Sequence, residues 1–193
     1  MAAMNTGSDK DHNTDLCGRF LLAMPGMGDP RFERSVIYIL SHDAEGAMGF
    51  IVNQPAEGMT LGEIAQNLPD SVASTGLANL PVFIGGPVQN DSGFVLYSVE
   101  EEAEDELPVG LTQSMDILIE AARGRGPQHM RLLLGYAGWG PGQLEGEIQE
   151  NAWLICPATL DDVFAAQPDD VYRKCAARLG IDLALLSQDG GEA

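Results

Sequence analysis

Residues Gly135–Glu147 read GYAGWGPGQLEGE, with five glycines, a proline and a tryptophan between an apolar run and a helix-forming segment. Glycine permits positive φ and close backbone approach at a cost in chain entropy, so such density marks a conformationally demanding junction and a candidate site. Upstream, His129–Leu134 (HMRLLL) reads as a strand feeding into it. Downstream, Pro141 suits the first turn of a helix through Gln149 that turns Leu144 and Ile148 inward, and Trp153–Cys156 (WLIC) reads as the last strand. On this reading Gly138 and Gly140 adopt positive φ, and valine at either unfolds or severely destabilises the domain.

Toward the N-terminus, Arg19–Met24 (RFLLAM) is an apolar run followed by a proline- and glycine-punctuated loop, Met24–Phe32. Ser35–Leu40 (SVIYIL) and Ala47–Val52 (AMGFIV) are β-branched, apolar segments joined by SHDAEG, the pattern of a buried hairpin. Thr60 and Glu63 have capping-box spacing ahead of a helical stripe, Leu61, Ile64, Ala65 and Leu68. Pro81–Ile84 (PVFI) and Gly93–Val99 (GFVLYSV) flank a Gly85-Gly86-Pro87 turn and read as a tight antiparallel pair.

Thr112 or Ser114 caps a helix with Met115, Leu118, Ile119 and Ala122 inside. Two helices close the chain, one capped by Thr159 and one starting near Pro168 with Asp169 and Asp170 at its positive end. Short neighbouring strands with helices between and after them predict an α+β fold: a single compact domain with a mixed, mostly antiparallel sheet and flanking helices. The expected domain is 16–187, between disordered tails at 1–15 and 188–193.

The 193 residues carry a formal net charge of −19, from Lys+Arg 10 against Asp+Glu 29. Glu100–Glu106 contributes an acidic run read as a solvated loop, or as a docking surface for a basic partner. Direct nucleic-acid binding depends on phosphate neutralisation, so this balance disfavours it unless Arg123, Arg125, His129 and Arg131 gather on one face. No secretory signal or membrane-spanning run is evident, and a cytoplasmic location is expected. Cys17, Cys156 and Cys175 are widely spaced and lack a CxxC pair, as expected of reduced thiols rather than a disulfide framework or zinc site.

Several blocks occur in one order: GRFLLAMPGMGDPRFERSVIYILSHDAEGAMGFIVN, PVFIGGPVQ, GFVLYS, LGYAGWGPGQLEGEIQENAWL and ARLGID. Together they resemble the YqgE/AlgH family of bacterial proteins, over nearly the whole chain from Gly18 to Leu185. The resemblance implies a compact, cytosolic α+β domain. Members of that family are described as proteins of unknown function or as regulators of transcription linked to alginate production, without a settled catalytic mechanism. One departure is Tyr172, where a tryptophan is expected in the last helix.

Four loop regions are candidates to converge: Pro25–Arg34, Ser41–Gly49, Gly85–Gln89 and Gly138–Glu147. The candidate ligand groove between the GGP turn and the glycine-rich junction comprises Arg31, His42, Asp43, Gly85, Gly86, Gly138, Trp139, Gly140, Gln143 and Glu147. Backbone amides at the helix start could take an anion, although Glu145 and Glu147 compete for the same potential and neither a P-loop lysine nor a dinucleotide fingerprint is present. Arg31 and Arg34 could clamp an acidic ligand, or form structural ion pairs. His42 with carboxylates lacks metal-ligand spacing, so no metal and no cofactor are expected. The leading expectation is a regulatory protein binding a small molecule or a protein partner through this groove. An enzyme using Arg31, His42, Asp43 and Glu147 on a small polar metabolite is the main alternative, and a DNA-binding regulator the other.

Overall fold

The computed structural model describes residues 15–64, 69–100, 107–165 and 167–182. The expected tails through residue 14 and from residue 188, most of the acidic run, and Ala65 and Leu68 of the first helical stripe lie outside the described residues.

The strands are β1 (Arg19–Ala23), β2 (Val36–Asp43), β3 (Gly46–Ile51), β4 (Pro55–Thr60), β5 (Pro81–Ile84), β6 (Val88–Ser98), β7 (Val109–Thr112), β8 (Met130–Trp139) and β9 (Trp153–Pro157). The α-helices are α1 (Leu61–Ile64), α2 (Asp70–Ala73), α3 (Asp116–Ala122), α4 (Gln143–Gln149), α5 (Leu160–Val163) and α6 (Asp169–Arg178). The fold is α+β. Its mixed sheet runs β4–β5–β8–β3–β2–β1–β9, with β6 on β8 and β7 on β6; among the described residues only β5–β8 is parallel.

The organising strand is β8. Its first half, Met130–Leu134, lies between β5 and β6, whereas Ala137–Trp139 pairs with β3. Between the halves Gly135 has φ 69°, a conformation L side chains rarely adopt, and a Cβ there would sit 2.4 Å from the Gly86 carbonyl oxygen. One strand thus belongs to two sheet halves. The glycine-rich block is therefore strand through Trp139, and α4 begins at Gln143 rather than Pro141. Its φ 72° residue is Gly142; Gly138 and Gly140 do not have positive φ, which overturns the expectation for both.

The expected pairing of PVFI with GFVLYSV also fails, because β8 runs between them. The GGP segment crosses β8 in close contact: an added Cβ at Gly85 would lie 2.3 Å from Gly135 O, and one at Gly86 2.1 Å from Tyr136 C. Glycines here permit a crossing instead of the expected two-strand turn. The β2–β3 hairpin forms as expected, with Ile37 opposite Ile51 and Tyr38 opposite Phe50. The Glu63 carboxylate reaches back to the Thr60 amide at 2.8 Å, but the Thr60 hydroxyl bonds that carboxylate too, at 3.0 Å.

Period-two alternation sorts the apolar strands into two cores. Phe20, Leu22, Val36, Tyr38 and Phe50 pack with Val163, Val171 and Cys175 of the closing helices. Leu21, Ile37, Ile39 and Ile51 point the other way, toward Trp139, Leu144 and Trp153. Coverage on both faces explains why RFLLA and VIYIL are continuous apolar runs without polar alternation. A third cluster, with Leu61, Val72, Val82, Leu118 and Leu132, roofs the outer sheet half.

Candidate functional site

At the end of β8 the chain builds a polar hub inside an aromatic cluster. Trp139 and Trp153 meet edge to face at 6.0 Å, and Phe32 meets Trp153 in the same manner at 5.5 Å. Both indole N–H groups donate to Glu147 Oε2, at 2.8 Å from Trp139 and 2.7 Å from Trp153. Gln143 donates to Glu147 Oε1 at 2.9 Å and accepts from the Gly140 amide at 3.1 Å. One helical carboxylate thus fixes the strand end, the last strand and the loop between.

His42 extends the hub. Its Nδ1 accepts from the Leu16 amide at 3.2 Å, which makes Nε2 the protonated nitrogen of the neutral ring, donating to Glu145 Oε1 at 2.9 Å. The Glu145 carboxyl is held below its ordinary value by its own backbone N–H first and by His42 second. Trp139, Gly140, Gln143 and Glu147 are therefore brought together with their polar atoms spent within the hub, and both nitrogens of His42 are taken by Leu16 and Glu145.

The other candidates fall elsewhere. Arg31 is ion-paired with Asp29 at 2.7 Å, the structural role weighed for it. Asp43 caps its own turn by accepting from the Glu45 amide at 2.8 Å. Gly85 and Gly86 make the crossing over β8, and Gly138 lies in strand opposite Met48. No cluster of three or more metal-ligating side chains occurs among the described residues.

Arg34, outside the expected groove, faces a cleft. A depression of about 540 Å³ is lined by Glu33, Arg34, Asn53, Gln54, Pro55, Glu57, Ile84, Asp169 and Tyr172, and none of the groove residues expected from sequence lines it. Its volume lies within the range of small-molecule sites. Arg34 has φ 53°, a rare conformation for a residue with a side chain. Asn53 holds it there: its Nδ2 donates to Arg34 O at 2.9 Å while its Oδ1 accepts from the Val36 amide at 2.7 Å. The Arg34 guanidinium lies over the Tyr172 ring, 5.5 Å from its centroid. Tyr172 is anchored in turn by its hydroxyl, which donates to Ala23 O at 2.7 Å. The phenol is pushed up by burial, partly opposed by Arg34.

Arg34 has no ion-pair partner among the described residues, whereas Arg31, Arg123, Arg125, Arg173 and Arg178 each hold a carboxylate. Arg131 is buried, 4% exposed, donating to Val52 O and to Ala165 O. Its guanidinium sits 4.1 Å from the Phe83 ring centroid. Burial pulls its pKa down to about 10, which leaves it charged at neutral pH. Arg131 thus supplies no basic face, and Arg123 and Arg125 share Glu120. Arg34 stands beside Phe32 and Glu33 in the chain as Arg31 does, but its φ and its contact with Tyr172 across 138 residues have no local signature.

No helix among the described residues is long and apolar enough to cross a membrane. Similarity to known proteins extends over this whole architecture. A UPF0301 protein of Thioalkalivibrio sulfidiphilus is 46% identical over 185 residues, covering 94% of this chain and 98% of its own. A UPF0301 protein of Ruegeria pomeroyi is 46% identical over 184 residues, covering 93% and 100%. The solution structure of the AlgH protein from Pseudomonas aeruginosa superposes with a TM-score of 0.72 at 38% identity, over 98% of this chain and 100% of that one. A crystal structure of a Corynebacterium diphtheriae protein gives 0.69 at 27% identity, over 89% and 91%. The AlgH-like family model spans residues 20–184, from the first core strand past the helix that carries Tyr172, and the chain belongs to that family.

Proposed function

We propose that this chain is a regulatory binding protein whose ligand seat is the Arg34 cleft. One observation carries the reading. In a protein with 29 acidic and 10 basic residues, Arg34 has no ion-pair partner among the described residues and is instead braced by Asn53 and Tyr172 at the edge of a cleft. Holding an arginine at φ 53° costs on the order of 1–3 kcal/mol, an expense more readily understood at a binding site than on an idle loop. A link to transcription would then run through ligand occupancy or a protein partner. The arginines considered for DNA contact are buried or already paired, which speaks against direct binding.

A catalytic use of Arg31, His42, Asp43 and Glu147 has less support. The His42 side chain is 2% exposed and occupied at both nitrogens, and Glu147 already accepts three donors. The test is a thermal-shift screen of the full chain against nucleotides, sugar phosphates, carboxylic acids, amino acids and short peptides. Ligand at 100 times its dissociation constant stabilises by about 2.7 kcal/mol, at ~2 to 4 °C per kcal/mol for a domain near this size. The expected hit disappears in Arg34→Asn, since asparagine tolerates positive φ and lacks the guanidinium. A hit retained in Arg34→Asn and lost in folded Gln143→Ala would move the seat to the glycine-rich junction and overturn this reading.

A further inference from the structure

Resting on the Arg34 cleft as the binding seat, we infer that its ligand is an amino-acid-like zwitterion with an apolar side chain, its carboxylate on Arg34 and its ammonium among Glu33, Glu57 and Asp169. The lining sorts into three kinds of group. Arg34 supplies the single cationic fork, oriented by its contact with Tyr172 and by the Asn53 bond to its carbonyl, and a fixed guanidinium favours a planar carboxylate bound through two parallel hydrogen bonds. Glu33, Glu57 and Asp169 supply carboxylates around the same space. Pro55 and Ile84 supply apolar surface, and Ile84 is 38% exposed although it belongs to a core strand.

This combination selects against simpler ligands. A phosphate or dicarboxylate would satisfy Arg34 but face three carboxylates, and a polyamine would satisfy the carboxylates but meet Arg34. A zwitterion answers both signs at once. A side-chain amide adds polarity suited to it: Gln54 Nε2 donates to Glu33 O at 3.4 Å, a long bond whose amide can turn toward a ligand. The buried Arg131 is bonded to the carbonyl oxygen of Val52, the residue before the lining Asn53, and, being enclosed, offers a ligand no hydrogen bond of its own.

The experiment is calorimetric titration of the full chain with L-leucine, 4-methylpentanoate, which lacks the ammonium, and isopentylamine, which lacks the carboxylate, with the dipeptide Leu-Leu as a larger zwitterion. L-leucine or Leu-Leu is expected to bind at least tenfold more tightly than either half-ligand. Arg34→Asn should cancel that advantage, and Glu57→Gln should weaken the zwitterion while leaving 4-methylpentanoate unchanged or improved. The two zwitterions together show whether a free amino acid or a peptide end is preferred. Equal binding of 4-methylpentanoate and L-leucine would overturn the zwitterion and leave the cleft as an anion site. No heat from any of the four, with no amide chemical-shift change at Arg34, Asn53 or Gln54 in the nuclear magnetic resonance spectrum of the chain at millimolar ligand, would overturn the inference outright; the broader screen would still decide whether the cleft binds anything else.

Discussion

His42 Nε2 lies 2.9 Å from Glu145 Oε1 across 103 residues of chain, joining the end of the first hairpin to the helix after β8. The ring is enclosed and also accepts from the Leu16 amide, so His42→Ala leaves a core-facing backbone N–H without its acceptor. The expected loss is about 1–3 kcal/mol by urea denaturation. Glu145, more exposed, should cost less on conversion to glutamine.

The acid limb follows from the same pair. Glu145 is held below its ordinary value of 4.5, by its own backbone N–H and then His42, so its stabilising contribution is present above that value and is lost as pH falls through the lower folded value. Asp29 is lowered in the same sense by its hydrogen bond from Arg31, and Glu120 by Arg125 and Arg123. Melting temperature should therefore hold down to about pH 5 and fall below 4.5, in the range where unfolded carboxylates titrate. Glu145→Gln should make that fall shallower; an identical acid limb in the variant would mean that the pair contributes nothing.

Glu147 should be the more costly carboxylate to lose. Its removal strands the indole N–H groups of Trp139 and Trp153, which are 7% and 2% exposed. At about 1–3 kcal/mol for each of the two unsatisfied buried donors, Glu147→Ala is expected to lose about 2–6 kcal/mol, and Glu147→Gln, which keeps an acceptor oxygen, about half of that. The chain has 2 tryptophans, both in this hub, so intrinsic fluorescence during denaturation reports on it directly.

The glycines separate into required and permissive positions. Gly135→Val forces a branched side chain onto φ 69° and against the Gly86 carbonyl, and should cost more than about 3 kcal/mol or prevent folding. At Gly140 the nearest atom to an added Cβ is the Gln143 side-chain oxygen at 4.0 Å, so Gly140→Val should stay within about 1 kcal/mol of wild type. Gly138 falls between, since its Cβ would meet the Tyr136 ring at 3.1 Å. Comparable melting of the Gly135 and Gly140 variants would refute this division.

What the sequence reveals is governed by range. VIYIL and GAMGFI announce their hairpin because apolar content, β-branching and the turn are local, and Thr159 announces α5 because a hydroxyl cap acts within one turn. The strand PAEGMT is hidden because it is an exposed edge bearing proline and glycine, and VGLT because four half-buried residues give no usable period. The glycine block was visible as a constraint, but the choice between a turn, a crossing and a bent strand depends on which backbone comes alongside. The Arg34 cleft is least visible: Asn53, Ile84 and Tyr172 arrive from β3, β5 and α6 ends that only the folded topology brings together.

The alkaline limb should depend on Cys175. This thiol is fully buried beside Cys156, and its pKa is pushed up to about 12 by burial first, then by Cys156 and Asp162. A raised folded value means that its contribution is intact below the unfolded thiol value near 9 and is lost as pH climbs from there toward 12, because only the unfolded chain ionises in that window. The slope from one such group is at most about 1.4 kcal/mol per pH unit. Cys175→Ala should be less stable at pH 7, through the lost sulfur packing, yet show a flatter decline from pH 9 to 10.5 in urea midpoints. Parallel declines for both proteins would show that Cys175 ionises as readily in the folded chain as in the unfolded one.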